Sequence, residues 1–258
     1  GPVPLEQGQE EVVEAGLLLR SFLNARDLDP GIQTAGVWTI PLTPTGLGSP
    51  EEYVQSMDEV EASLAKLPGV VNATYSVTLP LERTGSSRCC WMAGSLTLNG
   101  EEIAGIGIFL QPVTESFFQT LSVPLLAGRV WDRHEAEAAP WPAVLSEGFA
   151  MELFGSAEAA VNQILRIQDD EVLVRGVARD TRHFGLDQEF ENFAYVPVEK
   201  LPFTFSMAHL AVKVDGEVPP GWVRILREAV WRASPSMPVP TVRTMDEWLK
   251  RSTDDRRF

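Results

Sequence analysis

Two stretches at opposite ends of the chain carry the same order of elements, and neither can bury its apolar side chains alone. In the first, Val37-Trp-Thr-Ile-Pro-Leu42 reads as a strand, with Pro41 pointing to an edge or a bulge. Ser49-Pro50-Glu51-Glu52 then opens a helix, with a capping hydroxyl, proline in the first turn and acids at the positive end of the helix dipole. Tyr53, Met57, Val60, Leu64 and Leu67 fall on one face of that helix, Pro68-Gly69 ends it, and residues 70–77 form the returning strand. In the second, a strand over 207–214 is followed by a helix opened by Pro219-Pro220-Gly221-Trp222, with Val223, Leu226, Ala229, Val230 and Ala233 on one face. A strand over 239–243 and a capping box of Thr244 with Glu247 close the unit. Two β-α-β units at the two ends predict one shared sheet with helices over one face, an α+β fold. The residues between them are then an insertion.

The insertion reads as mostly β. It is preceded by the polar break Thr84-Gly-Ser-Ser-Arg88, and strands near 91–98 and 102–111 flank a hairpin turn at Asn99-Gly100. Gly105 and Gly107 lack the third glycine and the following helix of a phosphate loop and are read as strand glycines. Short helices over 114–121 and 146–154 alternate with strands over 143–145, 163–168 and 171–178. Residues 172–197 then run strand, charged loop, strand. Asp180, His183, Asp187 and Glu189 lie close together in that loop, which admits a hydrolase or metal site around Asp180, His183 and Asp187. Against that reading, the other histidines, His134 and His209, are far away in sequence, and no G-x-S-x-G or H-E-x-x-H pattern is present. The alternative is a turn network of Arg179, Asp180, Arg182 and His183 that only holds shape. Seven phenylalanines, Phe117, Phe118, Phe184, Phe190, Phe193, Phe203 and Phe205, leave open a third reading, an apolar cleft for a lipid or small ligand, although core packing accounts for most of them.

A net charge of −15 repels nucleic acid and anionic headgroups, so a nucleic-acid partner is not expected. No run reaches the roughly 18 apolar residues of a membrane span and no cleavable leader is visible, so the stretch as given reads as soluble. Gly1-Pro2 resembles the remnant of a cleaved tag, which makes this a piece of something larger. Residues 10–28 have helical period, and Leu17, Leu18, Leu19 and Phe22 form an apolar cluster large for so short an element. The adjacent Cys89 and Cys90 are too close for an unstrained bridge and are not part of a metal pattern.

In several places the residues themselves are familiar. Gly16-Leu-Leu-Leu-Arg-Ser-Phe22 with Leu28-Asp-Pro-Gly31, Leu67-Pro-Gly-Val70, Phe117-Phe-Gln-Thr-Leu121 with Pro124-Leu-Leu-Ala-Gly-Arg129, Gly176-Val-Ala-Arg-Asp-Thr-Arg-His-Phe-Gly-Leu186, and Val242-Arg-Thr-Met-Asp-Glu247 with Arg256-Arg-Phe258 occur in that order. Together they resemble the extracytoplasmic core domain of MacB-like and FtsX-like ABC transporter permeases of the orphan type. The resemblance implies a porter-like layer at 35–84 and 204–250, an inserted sabre-like subdomain at 85–203, a stalk at 1–34 that includes the tag remnant, and a lead-in to a second membrane helix at 251–258. It also implies a non-catalytic domain without cofactor or metal, on the periplasmic side of the bacterial inner membrane. Its work would be mechanotransmission for export or envelope remodelling. The implied partners are an ABC ATPase on a separate domain or subunit, a second permease copy, and a periplasmic adaptor or exported substrate. One departure is visible: residues 156–164 lack the family's Pro and Gly turn, so this connector is expected to be more helical.

Overall fold

A computed structural model describes residues 29–81, 91–92, 94–186, 190–200, 207–239 and 241–254. The stalk residues Leu17, Leu18, Leu19 and Phe22, the break at 84–88, Cys89, Cys90, Asp187, Glu189, Phe203, Phe205 and the end of the lead-in lie outside them. In chain order the elements begin with β1 (Val37–Leu42), α1 (Pro50–Ala65) and β2 (Val70–Ser76), followed by the short strands β3 (Trp91–Met92), β4 (Leu96–Leu98) and β5 (Glu101–Glu102). Next come β6 (Phe109–Val113), α2 (Phe117–Thr120), β7 (Leu125–Gly128), α3 (Arg133–Ala136) and β8 (Trp141–Ser146). They continue with α4 (Glu147–Phe154), α5 (Ala157–Ala160), β9 (Ile164–Ile167), β10 (Asp170–Ala178) and β11 (Phe193–Pro197), which runs into a 3-10 turn at Val198–Lys200. β12 (Ala208–Val214), α6 (Trp222–Ala233), β13 (Arg243–Thr244) and α7 (Met245–Asp254) close the chain.

The two end units interleave. Their strands lie in the order β13, β1, β12, β2, and each neighbouring pair is antiparallel. A strand of each unit therefore sits between the two strands of the other, the split β-α-β arrangement. Ile40 and Leu42 of β1 and Leu210 and Val212 of β12 point to one face, where Tyr53, Met57, Val60 and Leu64 of α1 and Leu226, Ala229 and Val230 of α6 cover them. The opposite face is not left bare, as the helices-on-one-face expectation would have it. Ala211, Val37 and Met245 join Phe117, Phe118 and Tyr195 in a second core, and Trp248 of α7 donates its ring N–H to Thr39 Oγ1 at 2.7 Å. The period-2 alternation of β1 and β12 thus serves two cores at once.

Beyond β2 the strand order continues β6, β11, β8, β10, β9, β4, β5. β6 and β11 are parallel, as are β8 and β10. A third core, including Phe149, Ala150 and Ala160, lies between α4, α5 and this part of the sheet. β10 is long enough that one edge serves two partners in succession, β9 along Asp170–Leu173 and β7 along Gly176–Ala178.

Local chemistry explains the ends of the elements. Ser49 Oγ accepts from the Glu52 N–H, and the β4–β5 hairpin turns through Asn99 and Gly100, both at positive φ, as an Asn-Gly turn requires. Ser156 caps α5, so the connector that departs from the family pattern does contain a helical turn. Three expectations change. The strand read over 102–111 is broken into β5 and β6, which places Gly105 and Gly107 in the connector, Gly105 at φ +83. The strand read over 91–98 is likewise split, and the last strand shortens to Arg243–Thr244, which pair with Thr39 and Trp38 of β1.

The capping box at α7 is formed in both directions, Thr244 N–H to Glu247 Oε2 at 3.0 Å and Glu247 N–H to Thr244 Oγ1 at 3.3 Å. Thr244→Ala should therefore lower stability by about 1 kcal/mol, with Thr244→Ser restoring most of it, as measured by chemical denaturation. Among the described residues no helix is long and apolar enough to cross a membrane.

Candidate functional site

The charged loop after β10 is a crossing point of the backbone. The Arg182 N–H donates to the Pro30 carbonyl at 3.1 Å, the Leu81 N–H to the Arg182 carbonyl at 2.9 Å, and the Arg179 N–H to the Pro124 carbonyl at 2.9 Å. Gly31 passes so close to this loop that a Cβ there would lie 2.1 Å from the Asp180 carbonyl oxygen. The side chains lead to other elements. Both Asp180 carboxylate oxygens accept from the Gly148 N–H at the start of α4, at 3.0 and 3.2 Å, while burial raises that carboxyl's pKa. The Arg182 guanidinium lies 4.3 Å from the centre of the Phe190 ring.

His183 is 2% exposed. Its Nε2 lies 3.3 Å from the Tyr195 hydroxyl, which also meets Thr181 Oγ1 at 3.0 Å, and its ring centre is 4.2 Å from that of Phe193. Burial pulls the imidazole down to about 3, so it is neutral at any ordinary pH. A neutral ring closed in by aromatic neighbours is poorly placed to exchange protons with a substrate. Among the described residues no three His, Cys, Asp or Glu side chains gather in a way that could hold a metal ion. Phe117, Phe118 and Phe193, named above as possible cleft residues, are core.

A different group of side chains collects where the two parts of the sheet meet. β2 and β6 share a single backbone pair, Ser76 with Val113, whereas β1 and β12 share six and β6 and β11 five. The rest of the join is made by the second core, by backbone bonds such as those from Arg182 to Pro30 and from Leu81 to Arg182, and by side chains. Ser76 Oγ donates to the Pro112 carbonyl at 2.9 Å, and the fully buried Gln111 amide reaches the Thr78 carbonyl at 3.0 Å and Ser76 Oγ. Thr74 Oγ1 and Thr114 Oγ1 are 2.7 Å apart, Thr114 Oγ1 and Ser116 Oγ 2.9 Å. Ser116 Oγ lies 2.7 Å from the Ala73 carbonyl oxygen and 3.1 Å from Glu61 Oε1 of α1. Ser116 precedes α2 but makes no side-chain cap to it; its hydroxyl points across the seam instead.

Around this seam four carboxylates face one guanidinium. Asp58 accepts from the Tyr75 hydroxyl at 2.9 Å and pairs with Arg133 of α3, which also approaches Glu115 at 3.9 Å. Burial pushes Glu61 up to about 8, the Ser116 hydroxyl opposes this, and the negative charges of Glu115 and Asp58 add to it. Burial raises Glu199 as well. Between α1 and α3 opens a cleft of about 450 Å³ whose walls include Pro50, Val54, Asp58, Arg133, Glu137 and Glu199. None of Asp58, Glu61, Ser116 or Arg133 was marked by the sequence motifs.

The sequence model described as the MacB-like periplasmic core domain matches residues 21–223, most of the chain. The chain belongs to this family. As a MacB-like periplasmic core domain, it is part of an ABC transporter permease and lies on the extracytoplasmic side of the membrane. Solved structures share its fold. The periplasmic region of MacB from Actinobacillus actinomycetemcomitans is 14% identical, with a TM-score of 0.57 over 91% of this chain and 99% of that one. A domain of a permease protein from Porphyromonas gingivalis is 16% identical, with a TM-score of 0.50 over 80% of this chain and 89% of that one. The curated proteins gave no match. In this MacB-like domain the polar seam and its cleft form the candidate functional site.

Proposed function

We propose that this domain is a non-catalytic coupling element: ATP hydrolysis on the cytoplasmic side moves its two ends, and the seam between β2 and β6 converts that movement into a change of spacing outside the membrane. Export or envelope remodelling would be its outcome. The single backbone pair at the seam carries this reading. Packed apolar cores move as rigid bodies. The hydroxyls and amides of the seam exchange partners at about 1 kcal/mol each, while the second core, where Val37, Ala211 and Met245 meet Phe117, Phe118 and Tyr195, keeps the two parts packed as the spacing shifts.

The division into a porter-like layer at 35–84 with 204–250, and a sabre-like insertion at 85–203, belongs to the same proposal. So does the stalk role of Leu17, Leu18, Leu19 and Phe22. The corresponding partners are a separate ABC ATPase, a second permease copy, and an adaptor or exported substrate.

The test is a reversible lock. Thr74→Cys with Thr114→Cys, placed in the complete permease with its ATPase, replaces two side chains whose oxygens are 2.7 Å apart. Oxidation should abolish transport and leave the domain folded, and reductant should restore it. Undiminished transport with the cross-link verified would refute the coupling role of the seam.

A further inference from the structure

Ser116 has one hydroxyl proton and two acceptors for it, the Ala73 carbonyl of β2 at 2.7 Å and Glu61 Oε1 of α1 at 3.1 Å. Which of them receives it depends on the charge of Glu61. When Glu61 is neutral, its own O–H donates to Ser116 Oγ. The hydroxyls then order in one direction, Thr74 to Thr114, Thr114 to Ser116, and Ser116 to the Ala73 carbonyl. When Glu61 gives its proton to solvent, the carboxylate accepts the Ser116 O–H hydrogen bond and the Ala73 carbonyl loses that donor. The fastening of the 112–116 segment to β2 is then one bond weaker.

The charges around Glu61 make ionisation harder still. Asp58 is one turn earlier on α1, Glu115 lies on the segment leading into α2, and Tyr75 of β2 and Glu199 of the 3-10 turn belong to the same cluster. Arg133 of α3 is the cation that acts on Glu61, and it is already engaged with Asp58. The other flank of α1 is independent of this group. Ser63, two residues on and so about 200° around the helix, donates to the Ala229 carbonyl of α6.

We propose that Glu61 is a proton-operated latch on the seam: protonated, it fastens the insertion to β2 through Ser116; ionised, it releases that bond and leaves an extra negative charge in the join. This rests on the seam's geometry and not on the coupling role proposed above. The sign follows from linkage. Burial holds the Glu61 proton up to about pH 8 in the closed join, whereas a carboxyl released to water titrates near its ordinary 4.5. The closed form therefore binds the extra proton between those values. Opening becomes easier as pH rises through that window and changes no further above it.

The chain itself is the sample. Hydrogen–deuterium exchange over residues 112–120, corrected for intrinsic exchange, should show an opening constant that rises at least tenfold from pH 5.5 to 8 and then levels off. Glu61→Gln, which keeps a donor for Ser116 but cannot ionise, should flatten that rise. Carbon-detected NMR should place the Glu61 carboxyl midpoint near 8 in the wild type, and Ser116→Ala, which removes the carboxylate's donor, should move it higher. A carboxyl that titrates below pH 6, an equal rise in the Gln variant, or an unmoved midpoint in Ser116→Ala would each overturn the latch. None of these readouts involves transport, so their failure would leave the coupling proposal standing.

Discussion

Gly31→Ala is expected to cost the domain about 3 kcal/mol or more and to lower its melting temperature by about 10 °C. Two effects add. Gly31 sits at φ +77, where a Cβ costs about 1–2 kcal/mol. That Cβ would also lie 2.1 Å from the Asp180 carbonyl oxygen and 3.0 Å from the Thr181 Cα, both backbone atoms that cannot rotate away. Relief requires the 29–32 segment to lift off the loop, which breaks the bond from Arg182 N–H to the Pro30 carbonyl. Calorimetry on the variant checks this; a loss below 1 kcal/mol would mean that the crossing point is looser than its geometry.

His183 sets the second large effect, and its direction is opposite to that of Glu61. The buried ring stays neutral down to about pH 3, whereas in the unfolded chain it charges near 6.5. Between those values the unfolded state binds more protons, so stability is complete above pH 6.5 and falls as pH drops, by about 1.4 kcal/mol per unit. At pH 4 the loss from this residue is about 3 kcal/mol. His183→Phe gives up the contact with Tyr195, a cost of about 1 kcal/mol at pH 7, but has nothing to protonate. Denaturant titrations should therefore find the variant slightly less stable than wild type at pH 7 and more stable at pH 4. Parallel acid loss in both proteins would reject the buried neutral histidine. Because Glu61 tilts stability the other way between about 4.5 and 8, the contributions of these two residues oppose each other and largely cancel from about 4.5 to 6.5.

Features controlled by near neighbours were legible from sequence. The Ser49-Pro50 start, the Asn99-Gly100 turn and the Thr244–Glu247 box each depend on residues one to three positions apart, and each formed as expected. The pairing of the two end units could also be expected, since neither buries its apolar face alone. Their interleaving could not, because nothing local distinguishes β12 beside β1 from β12 beside β13. The charged loop drew attention by composition, yet Asp180 and His183 reach Gly148 and Tyr195, contacts set by the fold. The seam left one faint signal: Glu61 lies four residues beyond Met57, beside the apolar face of α1. Its partner Ser116 is 55 residues away, and no spacing rule joins them.

The interleaved order also dictates how the chain must be assembled. β1 is made early, but both of its neighbours, β12 and β13, come from residue 208 onward. During synthesis the four-stranded layer therefore waits for residues 208–244, while β6 to β11 already have one another. Such distant pairings close slowly, since a long loop must be ordered before any contact rewards it. The second core, which takes Val37 and Ala211 from that layer and Met245 from the helix after it, is completed only together with it.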